Sequence, residues 1–100
     1  MIVHIVCWKY RDDVGDDARA DHRQRLASLD GLVPGLRKLE IGADILHLER
    51  SFHTALLAEF DNMASLEEYT VHPDHQTVVA VGREIAEKVM SVDFEREDAR

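Results

Sequence analysis

The chain is predicted to fold as an α+β domain, with a four-stranded antiparallel sheet and helices packed on one side. Three observations carry this. Four segments show the two-residue period of strands. Helical stretches with boundary signals separate the first from the second and the third from the fourth. At 100 residues the chain is a single domain with room for one modest core. The order is therefore β-α-β-β-α-β.

Residues 2–10, IVHIVCWKY, are rich in Val, Ile and aromatics, which fit a strand. Alternation puts Ile2, His4, Val6, Trp8 and Tyr10 on one face, and Val3, Ile5, Cys7 and Lys9 on the other. A helix is expected over 16–30, with acids in its first turn and Ala18, His22, Leu26 and Leu29 on one stripe. The breakers of GLVPG end it. A second strand runs over 36–46. A third, over 53–60, turns Thr54, Leu56, Ala58 and Phe60 to one side, and His53, Ala55, Leu57 and Glu59 to the other. Ser65 and Glu68 read as a capping box for a short helix. Pro73 stops that helix and can open the next at its first position. The next helix, striped by Val78, Val81 and Ile85, runs to about residue 88, and a last strand to about 95. This is the ferredoxin-like arrangement, with a domain over 1–95 and a polar tail over 96–100.

Composition limits the function classes. Apolar residues make up 45% and charged residues 32%, which describes an ordered soluble domain. A formal charge of −8 argues against nucleic acid, which is bound through clustered Lys and Arg, and against anionic membrane surfaces. Cys7 is the only cysteine, so no intrachain disulfide and no Cys-based zinc site is expected. The first ten residues are apolar but short, contain His4 and Lys9, and do not read as a signal peptide. No apolar run approaches the roughly 20 residues of a membrane span, so a cytoplasmic protein is expected.

Helices can cover only one face of such a sheet, and the other should be polar if it meets water. Here both faces of the first strand are apolar, and the third offers Ala55 and Leu57 to the second face. A naked apolar face is an interaction surface. Its simplest closure is a two-fold homodimer, sheet on sheet, forming an α+β barrel. In the alternative, loop 44–52 folds over it.

The chain resembles the dimeric α+β barrel family, also called Dabb or stress-responsive A/B barrel domains. The marks are the opening MIVHIVCWKY, the GLVPGL turn, LEIGAD, LLAEFDNMASLEEY, HPDHQ and the final SVDFE, in that order. The resemblance implies a ferredoxin-like protomer in a homodimer. Many members are described only as stress-responsive. One branch, plant polyketide cyclases, closes a poly-β-keto chain by aldol chemistry without a metal, in a pocket between sheet and helices. Its first-strand His matches His4, its helix Tyr matches Tyr69, its helix-start His matches His75, and His72 begins the H-P-x-H motif. A further cyclase His in the third strand falls on Thr54, because the order here is His53-Thr54.

Candidate roles follow. His75 titrates near neutrality, so it can move a proton at a carbon beside a carbonyl. Tyr69 can orient it or bond a substrate oxygen, and His4, expected on the helix-covered face, needs a buried partner. Trp8, Thr54 and Phe60 are expected to wall the pocket, and His72 to cap the turn. His22 and His47 are read as surface residues, and His53 as lying on the dimer face. Structural roles compete with each of these. Zinc through His72, Asp74 and His75 is disfavoured because Pro73 breaks their register. No metal or cofactor is expected. Two functions remain, a dimer that binds a small hydrophobic or aromatic ligand and a cyclase- or aldolase-type enzyme with His75 as base. A monooxygenase-like barrel rests on fold analogy alone.

Overall fold

Seven elements follow in the predicted order, β1 (Ile2–Tyr10), α1 (Asp16–Ala27), β2 (Leu36–Ala43), β3 (Thr54–Phe60), α2 (Met63–Val71), α3 (Pro73–Ile85) and β4 (Ala86–Glu95). The computed structural model describes residues 1–97. All strand pairs are antiparallel, in the order β2-β3-β1-β4. The ferredoxin-like arrangement is thus the one adopted. β1 sits centrally because both its faces are apolar and both its edges find partners.

The register fixes which side chains meet the helices. Ile2 pairs with Phe60, His4 with Ala58, Val6 with Leu56 and Trp8 with Thr54. Antiparallel partners point to the same face. The predicted inner set of β3 is fully inside, with Thr54 and Leu56 at 2% exposure and Ala58 and Phe60 at 0%. α1 adds Leu26, and the turn after it adds Leu29 and Val33.

Element boundaries differ from expectation where local hydrogen bonding decides. α1 ends at Ala27, and residues 28–30 continue as turns. α2 begins three residues before the Ser65 cap implies. Asn62 caps it instead, its Oδ1 accepting from the Ser65 N–H at 2.9 Å. Asn caps at least as well as Ser. β2 stops at Ala43, where the Asp44 N–H donates to the His53 carbonyl and closes the strand pair. α3 gives way to β4 without a loop, because Ala86 already pairs with Tyr10 and Lys88 with Lys9. The expected tail is partly tied down. Arg96 bonds Met1 through its backbone and Glu59 through its guanidinium, at 2.9 Å each, and residues 98–100 lie outside the described residues.

Gly35 lets the turn before β2 press on α2. A Cβ there would meet Ser65 Oγ at 1.9 Å and Ser65 Cβ at 2.4 Å. Gly35→Ala is therefore expected to cost about 1–3 kcal/mol in chemical denaturation. Adding Ser65→Gly should recover most of it, and no recovery would place the cost elsewhere.

The face away from the helices is largely apolar. Ile5 pairs with Val92 and Leu57, and Cys7 with Met90 and Ala55. Met90, Val92 and Phe94 are 48%, 52% and 44% exposed. Loop 44–52 does not cover them, since Ile45, Leu46 and Leu48 on it turn their own side chains outward.

Candidate functional site

A cavity of about 350 Å³ opens between the sheet and helices α2 and α3. Its walls are mostly apolar, from Val6, Trp8, Leu26, Leu56, Val78 and Val89. The polar groups that reach it include His4, Tyr69, Thr70, His75, Arg83 and Ser91.

Three of these gather at one end. The Tyr69 ring lies 4.3 Å from the His75 ring and 6.3 Å from the His4 ring, centroid to centroid. Each is placed by a local rule. His4 points inward by strand alternation from Ile2. Tyr69 is on the buried side of α2 with Leu66, three residues apart. His75 stands in the first turn of α3, which Pro73 starts at its first position. His72 ends α2 and caps α3, accepting from the Asp74 N–H through Nδ1 at 3.1 Å. That is the corner role expected of it.

The hydrogen bonds set the protons. His75 Nδ1 lies 3.0 Å from the Thr70 carbonyl oxygen. A carbonyl only accepts, so Nδ1 carries the hydrogen, and Nε2 holds the lone pair in the neutral ring. Burial holds the His75 pKa below the usual histidine value, with the Thr70 bond opposing and His4 and His72 adding to the drop. The ring is therefore neutral near pH 7, the form a general base needs. Burial also pushes the Tyr69 hydroxyl up to about 12, so it remains an O–H donor. His4 Nδ1 bonds Asp93 Oδ1 on the neighbouring β4 strand, which fixes the imidazole and leaves Nε2 unengaged by Asp93. Asp93 was not a sequence candidate, because its link to His4 exists only through the β1–β4 register.

Two expected wall residues do not line the cavity. Phe60 is fully buried behind Tyr69, ring edge to face at 5.1 Å. Thr54 accepts at Oγ1 from the Tyr10 hydroxyl at 2.9 Å and faces α1. Both share the cavity's face of the sheet, but helix packing roofs them over. Trp8 does line it.

Two other histidines differ from, or add to, their expected places. His22, read as a surface residue, is 0% exposed, with Nδ1 2.7 Å from the Tyr10 hydroxyl and its ring edge-on to Trp8. The buried phenol supplies the partner that keeps it inside. His53 stacks on Tyr10 and accepts from the Tyr10 N–H, beside a second hollow that includes Cys7 and Ala55 of the open face. His47 is exposed as expected. Among the described residues, no three His, Cys, Asp or Glu side chains gather as a metal-binding group. No helix among them is long and apolar enough to cross a membrane.

Comparison with known proteins gives concordant relatives. An uncharacterised protein of Streptomyces coelicolor is 33% identical over 97 residues, spanning 95% of this chain and 99% of that protein. Olivetolic acid cyclase of Cannabis sativa is 19% identical over 95 residues, 93% of this chain and 94% of the cyclase. A dimeric ferredoxin-like protein of unknown function from Thermobifida fusca superposes with a TM-score of 0.86 at 26% identity, covering 93% of this chain and 88% of that one. The model of the stress responsive A/B barrel domain matches residues 2–96, nearly the whole chain, and the protein belongs to that family.

Proposed function

We propose that the protein is a homodimer that binds a small, largely apolar or aromatic molecule in the cavity between its sheet and helices. The observation that carries this is the cavity itself. Its 350 Å³ falls in the range of small-molecule sites, and apolar walls surround a few converging polar groups. Self-association is supported by the exposed Met90, Val92 and Phe94 on the open face, and by relatives described as dimeric.

A cyclase- or aldolase-type reaction is the second reading, favoured by the His75 geometry. Nε2 of the neutral ring would take a proton from the carbon beside a ketone, and the Tyr69 hydroxyl would donate to the oxygen where charge develops. The electron pair then attacks a second carbonyl of the same chain, and the proton held on His75 returns to the new alkoxide. A carbon–carbon bond forms without redox change. The cyclase relative supports the class of reaction, and Thr54 in place of the further cyclase His argues for a different substrate or for binding alone.

Trp8 is the only tryptophan and lines the cavity, so its fluorescence reports occupancy. Octanamide is expected to perturb it in the parent. Tyr69→Phe should bind 2-nonanone, whose ketone is its one polar group, severalfold more weakly than the parent does, for about 1 kcal/mol of lost hydrogen bonding, with dimer stability close to the parent's. If a linear tri- or tetraketide is turned over, His75→Ala should lower kcat by about 10²- to 10⁴-fold. Absence of any Trp8 response in the parent, together with unstable variants, would instead make Tyr69 and His75 supports of the fold.

A further inference from the structure

We infer that the cavity's ligand carries an anionic head, a carboxylate, held by Arg83 at the end opposite His75; this rests on the ligand-binding reading above. His75, Val79 and Arg83 are spaced i, i+4 and i+8 on α3, and all three line the cavity. Two turns of helix separate the first from the last by about 12 Å. The sheet gives the same length independently. His4 and Trp8 of β1 both line the cavity, four residues and so about 13 Å apart. Trp8 pairs with Val89, a wall residue, and His4 pairs with Asp93. The cavity therefore has two poles, with His4, Tyr69 and His75 at one end and Trp8, Val89 and Arg83 at the other.

Among the described residues, Arg83 is the only guanidinium on this wall. Among the described residues it takes part in no ion pair, although the chain has 20 acidic residues against 12 basic ones. Of the two acids within four residues of it, Glu87 pairs with Lys9 at 3.6 Å, and Glu84 forms no ion pair among the described residues. An arginine stem can lie along apolar wall while its head meets water. Its planar fork matches a carboxylate with two parallel bonds. What sets Arg83 apart from the chain's other cations without an ion pair is its place on the wall of an apolar cavity, where its charge would select an anion. The ligand class is thus an apolar or aromatic acid, long enough to put its reactive or polar far end beside Tyr69 and His75.

The test uses octanoate and its neutral counterpart octanamide, titrated into the full chain with Trp8 emission as readout. The parent is expected to bind octanoate about three- to tenfold more tightly than octanamide, a modest ratio because Arg83 is exposed. The preference should shrink in concentrated salt. Arg83→Gln should abolish or invert it, with octanoate losing more affinity than octanamide, and Arg83→Lys should restore part. Equal affinities in the parent, or an unchanged preference in Arg83→Gln, overturn the inference while octanamide binding leaves the pocket reading standing. If octanamide does not bind the parent, the pocket reading falls and the anion site falls with it.

Discussion

Val92→Asp is expected to convert a dimer of this protein into monomers. Val92 sits in the open face, between Met90 and Phe94 on the same side of β4, and pairs with Ile5 of the central strand. It is 52% exposed in the single chain, which leaves an aliphatic side chain in water with no role there. Sheet-on-sheet association would bury it, and a two-fold axis would bury its copy as well. A carboxylate at that position must lose its water without a cation to meet it. Two such carboxylates appear per dimer. The loss should exceed about 4 kcal/mol, which is about a thousandfold in dissociation constant. Sedimentation at micromolar concentration should find the parent at twice the 11.4 kDa chain mass and the variant at the single-chain mass. Thr77→Asp, exposed on α3, is the control and should remain dimeric. A parent that sediments as one chain, or a variant that stays paired, would mean the apolar face serves something else.

Much of the fold was legible because period two and period 3.6 are local signals. β3 is the clearest case, where four alternate residues of the sequence are the four buried ones. Boundaries were less legible, because they depend on which partner reaches a backbone group first. Asn62 accepts from the Ser65 N–H that a Ser65 cap would leave to another acceptor, and β1 recruits Ala86 before any turn residue marks a strand.

The site divides the same way. His4, Tyr69 and His75 come together because each is directed inward by its own element. Alternation says which face Thr54 and Phe60 occupy, not which part of that face the helices leave open. Asp93 and Arg83 required the alignment of one element against another. The i+8 spacing from His75 to Arg83 was visible in the sequence, but it gains meaning only once both ends line the same cavity. His22 was placed on the correct helical stripe and then read as exposed, as isolated histidines commonly are. Its partner, the Tyr10 hydroxyl, is twelve residues away in sequence and invisible to period.

That misplaced histidine sets the second large effect, a loss of stability in mild acid. The Tyr10 hydroxyl donates to Thr54 Oγ1, so His22 Nδ1 must donate its hydrogen to the Tyr10 oxygen. The His22 Nε2 lone pair is then buried without a partner among the described residues. A Cβ on Gly82 would come within 2.9 Å of Nε2 and 3.2 Å of Trp8 Nε1, so α3 packs directly over the ring. A proton on Nε2 would place a charge there with nothing to accept its hydrogen bond. Burial accordingly holds the His22 pKa below its usual value, Arg23 lowers it further, and Asp21 opposes. In the unfolded chain the same ring takes up a proton near pH 6.5. Below that pH the unfolded state binds more protons than the folded one, so stability is fully present above it and falls as pH drops. The slope from one such group approaches about 1.4 kcal/mol per pH unit until the folded ring itself titrates. His53 and His75 are also held low by burial, and act in the same direction. Urea midpoints at fixed protomer concentration should therefore fall between about pH 7 and about pH 5. His22→Gln keeps an N–H for Tyr10 and cannot titrate in this range, so its midpoint should fall distinctly less over the same interval. Parallel curves for parent and variant would show that His22 protonates without cost and that the acid sensitivity has another source.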